Sequence, residues 1–397
     1  MEKHQITSTL HGNPEGKPQF FKEVSNSNGQ SIPVPCPKAT RALVALMDMQ
    51  AVLGGAASHF GGPAAFAEMM AATHGFMFQQ AQEKSKTWHE LFHFVNDAGH
   101  CENGLYALKA NYGVAGLSID DLKGFRSIES GLTGHGEAHL FPEGVFVSNG
   151  PLGSGLPQAQ GLAAAEAMEV DPRVTITAIS DGACMEGEAK EAFAAIPGLA
   201  QKKKMGPFVC MVSDNNTKLS GRIDDDSFSM KPSFDSLAAL GWKVTFIEDG
   251  HDLQNAYQKI EEACGEAQKD SSVPQLLWFK TIKGKGVKKT EESASGGHGF
   301  PLKKPEEVEA FLAEIYGDEP VPEVMGAWNK ELLSYKKPAS PFEKWPGDRT
   351  KIQTGVSQAL SDMFEKKHPV VSVSADLQGS TGVAGFRKKF PEAAIEV

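Results

Sequence analysis

From Ala39 onward, apolar residues recur three and four positions apart through Met47, Met49, Val52 and Leu53, and this spacing predicts a helix. Residues 1–37 before it are polar and rich in turn formers, and read as an arm. Beyond the helix the pattern changes character repeatedly. Phe92–Val95 and Gly144–Val147 are strand-like, with a helical stretch at Gly104–Asn111 between them. Pro157–Met168 is an alanine-rich helix, and Val174–Ile179 (VTITAI) is a β-branched strand. Helix Glu186–Lys203 leads into strand Phe208–Val212 (FVCMV) and then helix Ser233–Leu240. Strands Trp242–Ile247 and Gln275–Phe279 flank a helix at Leu253–Glu266. Strands alternating with helices predict an α/β fold, a mainly parallel sheet flanked by helices.

A proline-rich stretch follows, with Pro320, Pro322, Pro338, Pro341 and Pro346, and it carries a short helix around Met325–Leu333. A second α/β unit then starts, with helix Lys351–Lys366, strand Val370–Val373 and a last strand-like run at Ala393–Val397. The expected organisation is therefore an arm (1–37), an α/β domain (38–317), a linker (318–347) and the start of a second α/β domain (348–397). No internal repeat is visible.

Composition narrows the function classes. At 397 residues with 40% hydrophobic content the chain can bury a large core. Its most apolar stretch, Ala42 to Ala72, is broken by Asp48, His59, Gly61, Gly62, Pro63 and Glu68, which argues against a membrane span. A net charge of −11 argues against nucleic acid as a partner. The one basic run, Lys280–Lys289, reads as a solvated turn after a strand. The polar N-terminus, Met1–Lys22, has no apolar signal segment, and five cysteines without a CxxC suit reduced thiols in a cytoplasm.

The chemistry concentrates between Ser180 and Gly221. The strand VTITAI runs into Ser180-Asp181-Gly182, and the strand FVCMV into Ser213-Asp214-Asn215-Asn216. Ligands of open α/β sheets bind at the carboxyl ends of strands, so adjacent strands would present Asp181 and Asn215 on one rim. An Asp carboxylate, an Asn carbonyl and a backbone carbonyl are hard oxygen donors suited to Mg2+ held against phosphates. Either loop alone would pass as an ordinary turn, since Asp, Asn and Gly dominate turns.

Asp181-Gly182 followed by Asn215-Asn216 resembles the thiamine-diphosphate motif, and further runs are similar to the transketolase family. They are AGHCENGLYAL (Ala98–Leu108), GLSIDDLKGFR (Gly116–Arg126), SNGPLGSGLPQAQG (Ser148–Gly161), MEGEAKEA (Met185–Ala192), EDGHD (Glu248–Asp252), KTIKGKG (Lys280–Gly286), GGHGFPL (Gly296–Leu302) and VSADLQGS (Val373–Ser380). They lie in family order over most of the chain. The resemblance implies transfer of a two-carbon ketol unit between sugar phosphates, with thiamine diphosphate and Mg2+ (or Ca2+) as cofactors. It implies that Asp181, Asn215 and the carbonyl of Thr217 hold the metal, and that Gly182, His100 and His298 contact the diphosphate. Gly150, Pro151 and Leu152 would orient the aminopyrimidine, Leu219 would press on the thiazolium, and Asp376 and Leu377 would close the pocket. His59, His135 and His298 are the implied catalytic and substrate-handling histidines, and Ser380 the implied contact to substrate phosphate. Glu186 would belong to a carboxylate network between two sites of a homodimer.

The chain departs from the family in places. Ser180 stands for the usual first glycine, Gly136 for a proline after the histidine turn, and Arg349 lies one place early for a phosphate-binding arginine, where Thr350 stands. The chain also stops before the glutamate that activates the cofactor. It is therefore expected to be part of a longer transketolase-like protein and inactive alone. The alternatives are one subunit of a split transketolase, completed by a C-terminal subunit, or a non-catalytic thiamine-diphosphate-binding fragment. A third reading is a zinc peptidase, because His89-Glu90-Leu91-Phe92-His93 matches HExxH. That motif needs a helix, whereas on the strand expected here residues four apart are separated by about 13 Å.

Overall fold

The computed structural model describes residues 9–219, 221–336 and 351–397. A hairpin opens it, β1 (Phe21–Ser25) and β2 (Ser31–Pro35), antiparallel in the register Val24 opposite Ile32. Two helices follow, α1 (Pro37–Gly54) and α2 (Gly61–Glu83). Then come β3 (Phe92–Asn96), α3 (Glu102–Tyr112), α4 (Gly155–Glu166), β4 (Val174–Ser180), α5 (Gly187–Gln201) and β5 (Phe208–Asp214). The domain continues through α6 (Ile223–Asp226), α7 (Lys231–Leu240), β6 (Lys243–Ile247), α8 (Leu253–Lys269), β7 (Gln275–Lys280), α9 (Lys288–Glu291), α10 (Val308–Tyr316) and α11 (Glu323–Ser334).

β3 to β7 form one parallel sheet of five strands in the order β3-β4-β5-β7-β6. Every residue of β4 and β5 is buried. That is why these strands read as continuous apolar runs: helices cover both faces of a parallel sheet. On one face α2 and α8 pack with Met69, Phe76, Ile176, Met211 and Ile260. On the other, α4, α5 and α7 pack with Ala159, Phe193, Ile196, Val212 and Phe234. A third cluster joins α1 to α3, α10 and α11 through Leu43, Leu46, Tyr106, Phe311 and Trp328.

The remaining residues start a second unit: α12 (Ile352–Glu365), β8 (Ser372–Ser374), α13 (Gln378–Thr381), α14 (Ala384–Lys389) and β9 (Ala394–Glu396), with β8 and β9 paired in parallel. The helix expected within the linker is present as α11 and is docked, its Met325, Trp328 and Leu332 at most 1% exposed. Residues 337–347 of that linker, and Arg349 and Thr350, lie outside the described residues.

Three expectations are corrected. The arm carries a hairpin whose Val24, Ile32 and Val34 join the core. Gly144–Val147 forms turns and bends, with Val145 buried and no ladder partner. The basic run is no solvated turn, because Thr281 and Lys283 are 4% and 3% exposed. No described helix is long and apolar enough to cross a membrane, and all five cysteines are buried free thiols.

Candidate functional site

The site sits on the carboxyl rim of the sheet, where β3, β4, β5 and β7 end. β4 and β5 are neighbours in the register Ser180 opposite Ser213, so Asp181 and Asn215 emerge side by side. The Asp181 carboxylate is fully buried and accepts the N–H groups of Gly182 (2.8 Å), Asn215 (2.7 Å) and Asn216 (2.6 Å). It therefore ties the two loops together. Burial first, and the nearby Asp214 second, push its pKa up to about 7. A cation bound beside it would reverse that shift.

Asn215 has a buried Oδ1 with no hydrogen-bond partner among the described residues. Buried polar atoms are rarely left so. The Thr217 carbonyl lies in the same loop and receives Lys283 Nζ at 3.1 Å, while the Thr217 hydroxyl donates to the Asn215 carbonyl. An acid, an orphaned amide oxygen and a carbonyl with a second lone pair are the donor set a hard divalent cation takes. No three His, Cys, Asp or Glu side chains among the described residues could hold a metal, so this mixed oxygen set is the candidate.

Ser180 in place of glycine is accommodated. It is the last residue of β4, its φ is not positive, and its hydroxyl receives the Ala183 N–H at 3.3 Å. Gly182 is helical at φ −61°, so its use here is space, with Lys218 alongside.

Four histidines gather opposite these loops. His59 has ring centroids at 5.9 Å from His100, 5.1 Å from His298 and 6.1 Å from His135, and His100 stacks on His298 at 5.2 Å. The four come from four segments: the turn before α2, the turn before α3, the loop after α3, and the loop after α9. Gly61 N–H bonds to the Gly297 carbonyl, and His59 bridges to Gly299, which holds the first and last together. His298 Nδ1 is buried without a hydrogen-bond partner among the described residues. Burial drives the His59 pKa down to about 4 and the His298 pKa down to about 2, with Lys283 adding to both shifts. Burial lowers His100 and His135 as well, so all four favour the neutral imidazole, able to accept as well as donate.

That neutrality has a measurable cost in acid. His59 has an ordinary value near 6.5 when unfolded, so its neutral burial stabilises the fold above that pH. The contribution disappears as pH falls through about 4. His59→Gln should flatten the fall in urea midpoint between these pH values, by an amount on the order of 3 kcal/mol. Asp48, pushed up by burial, acts with the opposite sign in acid, so the variant-minus-parent difference is the quantity to read. A difference independent of pH would refute the shift.

The loop expected to orient the aminopyrimidine is built by two carboxylates. Asp97, just past β3, accepts from Gly153 (3.0 Å), Gly155 (2.7 Å) and Leu156 (3.3 Å), and so fixes the start of α4. Glu102, 2% exposed, accepts from Asn96 and Asn149 at 2.9 Å each, with Lys109 3.6 Å away. Asn149 Oδ1 in turn accepts the Gly136 N–H at 2.7 Å, and the Asn149 N–H donates to the Gly136 carbonyl at 3.0 Å. Asn149 thus joins the His135 turn to Gly150, whose φ is +136°. This explains Gly136: a proline has no N–H to give, and a Cβ there would meet Asn149 and Glu102 at 3.0 Å.

Around the small cavity in the middle, of about 20 Å³, stand His100, Leu152, Gly182, Asn215, Thr217, Leu219, His298 and Asp376. Asp376 reaches it from the second unit, accepting the Leu219 N–H at 2.9 Å. Asp181 lies behind the loops it ties, and His59 joins through its ring contacts. Pro151, Leu377 and Ser380 are exposed and do not line the cavity. Glu186 is exposed beside Gly153. The zinc motif does not form: His89 and Glu90 lie in a short 3-10 turn where Glu90 caps Thr87, and His93 points from β3 to Glu166 at 2.8 Å. Sequence reasoning missed Lys218, Lys283, Glu102 and Asn149. All four lie within quoted motif runs or beside a predicted site residue, which was the available signal.

A family model described as the transketolase thiamine-diphosphate-binding domain matches residues 37–331. The chain is 30% identical over 339 residues to the transketolase of Geobacillus stearothermophilus, covering 78% of this chain and 48% of that protein. It is 28% identical over 389 residues to that of Bacillus subtilis, covering 89% and 55%. A solved transketolase of Pichia stipitis shares the fold with a TM-score of 0.58 at 23% identity, covering 90% of this chain and 47% of that one. One from Campylobacter jejuni gives 0.54 at 23% identity, covering 88% and 58%. The chain spans about half the length of the curated relatives it matches. With the family matched across most of the chain and the rim of its sheet built as described, the protein belongs to the transketolase family and carries its thiamine-diphosphate-binding domain.

Proposed function

We infer that this chain supplies the diphosphate- and metal-binding half of a transketolase site, acting on sugar phosphates. The observation that carries the reading is the pairing of Asp181 with the orphaned Asn215 oxygen on adjacent strand ends, facing the stacked His100–His298 pair. Asp181, Asn215 and the Thr217 carbonyl would hold Mg2+. Gly182, His100 and His298 would meet the diphosphate, and Gly150, Pro151 and Leu152 the ring. When bound, thiamine diphosphate supplies the electron sink for breaking the carbon–carbon bond beside a ketose carbonyl.

The residues of this chain then have distinct tasks. Neutral His59, His135 and His298 can accept a proton from, or donate one to, sugar hydroxyls at neutral pH. Leu219 and Asp376 exclude water, and because the cavity is so small, their contact has to open for a ligand to enter. Activity is proposed to require a complementing polypeptide and assembly as a dimer in the cytoplasm, with Leu377 and Ser380 contributing once that surface is completed. A cofactor-binding protein without turnover is the second reading.

Calorimetric titration of thiamine diphosphate with and without Mg2+, followed by a ketol-transfer assay with a C-terminal complement, tests this. Magnesium-dependent binding that gains turnover on complementation supports the enzyme. Binding without turnover supports the second reading, and no binding with complement present sinks both.

A further inference from the structure

The loop that leads from the His135 turn to Gly150 is closed at its base. Asn149 joins its two ends through the Gly136 bonds, and the Ser148 hydroxyl accepts the Ala138 N–H at 2.9 Å. Residues 136–149 therefore make an Ω-shaped excursion, kept compact by its own turns. Leu140 and Phe141 N–H bond to the Glu137 carbonyl, and Val145 N–H to the Phe141 carbonyl. The base lies at the carboxyl rim of the sheet. The tip lies toward the other end, since Phe146 stacks on His93, the second residue of β3, with ring centroids 5.7 Å apart.

That tip is held from two sides. From within, Lys109 Nζ on α3 donates to the Gly144 carbonyl at 2.6 Å. From outside, residues 9–13 of the arm cross it as a strap. The Thr9 hydroxyl donates to the Pro142 carbonyl at 3.3 Å, and the His11 N–H to the Glu143 carbonyl at 2.9 Å. The strap is fastened in turn to the segment before β3. There the Trp88 indole N–H donates to the His11 carbonyl at 2.9 Å, the Trp88 N–H to Asn13 Oδ1 at 2.8 Å, and Asn13 Nδ2 to the Lys86 carbonyl at 2.7 Å. This anchor is itself fixed. Glu90 caps Thr87 with two bonds of 2.7 Å, and Arg173, paired with the buried Glu166 at 2.6 Å, donates to the His89 carbonyl. Leu10, Phe78, Trp88, Val145 and Phe146 line a cavity of about 40 Å³ between strap and loop. The seam is therefore not close-packed, and the hydrogen bonds carry much of the hold.

We propose that Asn13 and Trp88 are positioning residues for the candidate site, fastening a strap that braces the loop between His135 and Gly150. Neither residue touches the site. They act on the loop tip, and the loop acts through Asn149 at its base. The brace rests on these hydrogen bonds alone, whereas its effect on a ligand rests on the cofactor reading above. A loop that is already ordered loses less freedom when a ligand binds, so the brace favours ligands that touch it. Thiamine diphosphate would meet Gly150, Pro151 and Leu152 at the loop's end, and inorganic pyrophosphate would not.

The test compares the full chain with the double variant Asn13→Ala/Trp88→Phe, which removes three anchoring hydrogen bonds and keeps an aromatic ring at position 88. Asn13→Ala alone removes two of them and is read the same way if the double variant does not fold. Hydrogen exchange reports on the loop, and calorimetry with Mg2+ on affinity for thiamine diphosphate and inorganic pyrophosphate. Exchange across residues 137–148 should quicken about 10-fold, roughly the worth of one net hydrogen bond, while β4 and β5 exchange as in the parent. Thiamine diphosphate should bind about 10-fold more weakly, with pyrophosphate unchanged. Unchanged exchange across 137–148 overturns the brace. Faster exchange in β4 and β5 as well, or equal weakening of both ligands, also overturns it, because the strap then stabilises the whole domain. A quickened loop with thiamine diphosphate bound as in the parent overturns the positioning role. A parent that binds pyrophosphate but no thiamine diphosphate overturns the cofactor reading instead, and the exchange pattern then decides the brace.

Discussion

Asn215→Ala should leave the protein as stable as its parent, within about 0.5 kcal/mol, while weakening magnesium-dependent thiamine diphosphate binding by about 100-fold or more. The first half follows from its bonding: the Asn215 side chain makes no hydrogen bond among the described residues, and its Oδ1 is buried and orphaned. Removing an unsatisfied buried acceptor costs nothing it had gained. The second half follows because it would donate directly to the cation, where even an outer-shell partner is worth about 10- to 100-fold. Asp181→Asn should behave differently. It places an amide NH2 where an oxygen now receives two or one N–H groups, so the loop pair loses about 2–3 kcal/mol as well as the metal. Melting curves beside calorimetry with and without Mg2+ distinguish the two. If Asn215→Ala destabilises as much as Asp181→Asn, the amide is structural and the metal assignment fails.

The second large effect is expected far from the site. Trp328→Ala should lower unfolding stability by about 3–5 kcal/mol, the usual loss for a fully buried tryptophan. Trp328 is 1% exposed in the cluster that joins α1 to α10 and α11, and its Nε1 reaches Gln50 on α1 at 3.4 Å. Urea unfolding with an unchanged slope would place the loss in folded-state packing. A change under 0.5 kcal/mol would mean that α11 is a tether that the domain does not need.

Much of this architecture was legible because the buried strands announce themselves. VTITAI and FVCMV have no polar face to hide, and Asp181 and Asn215 follow from where those strands stop. Neighbouring positions in the sheet brought them together as expected. α2 was harder to see, because it is buried from Gly61 to Phe78 and so shows no polar stripe to set a period. The β1–β2 hairpin did carry a signal, Asn28-Gly29 between alternating apolar positions, with Gly29 at φ +76°. The helix α11 was expected within the linker, but its docking was not, since the flanking prolines read as a linker while Met325, Trp328 and Leu332 are buried. Lys283 was misread because charge suggests solvent, and only tertiary packing shows a lysine closed in on all sides. The Glu102–Asn149–Gly136 chain is similarly invisible in one dimension, since its members come from three separate segments.

The way α1 is covered has a consequence for synthesis on the ribosome. α1 ends at Gly54, yet part of its apolar surface is buried by α11, which ends at Ser334, 280 residues later. At roughly 5–20 residues per second, that surface waits some 14 to 56 s for its partner. β6 likewise emerges before β7, the strand it pairs with among the described residues. The nascent chain therefore carries exposed helix for much of its translation, and an unpaired strand edge for the shorter interval between Ile247 and Lys280. Its yield in a cell should depend on holding chaperones and on elongation rate more than its final stability would suggest.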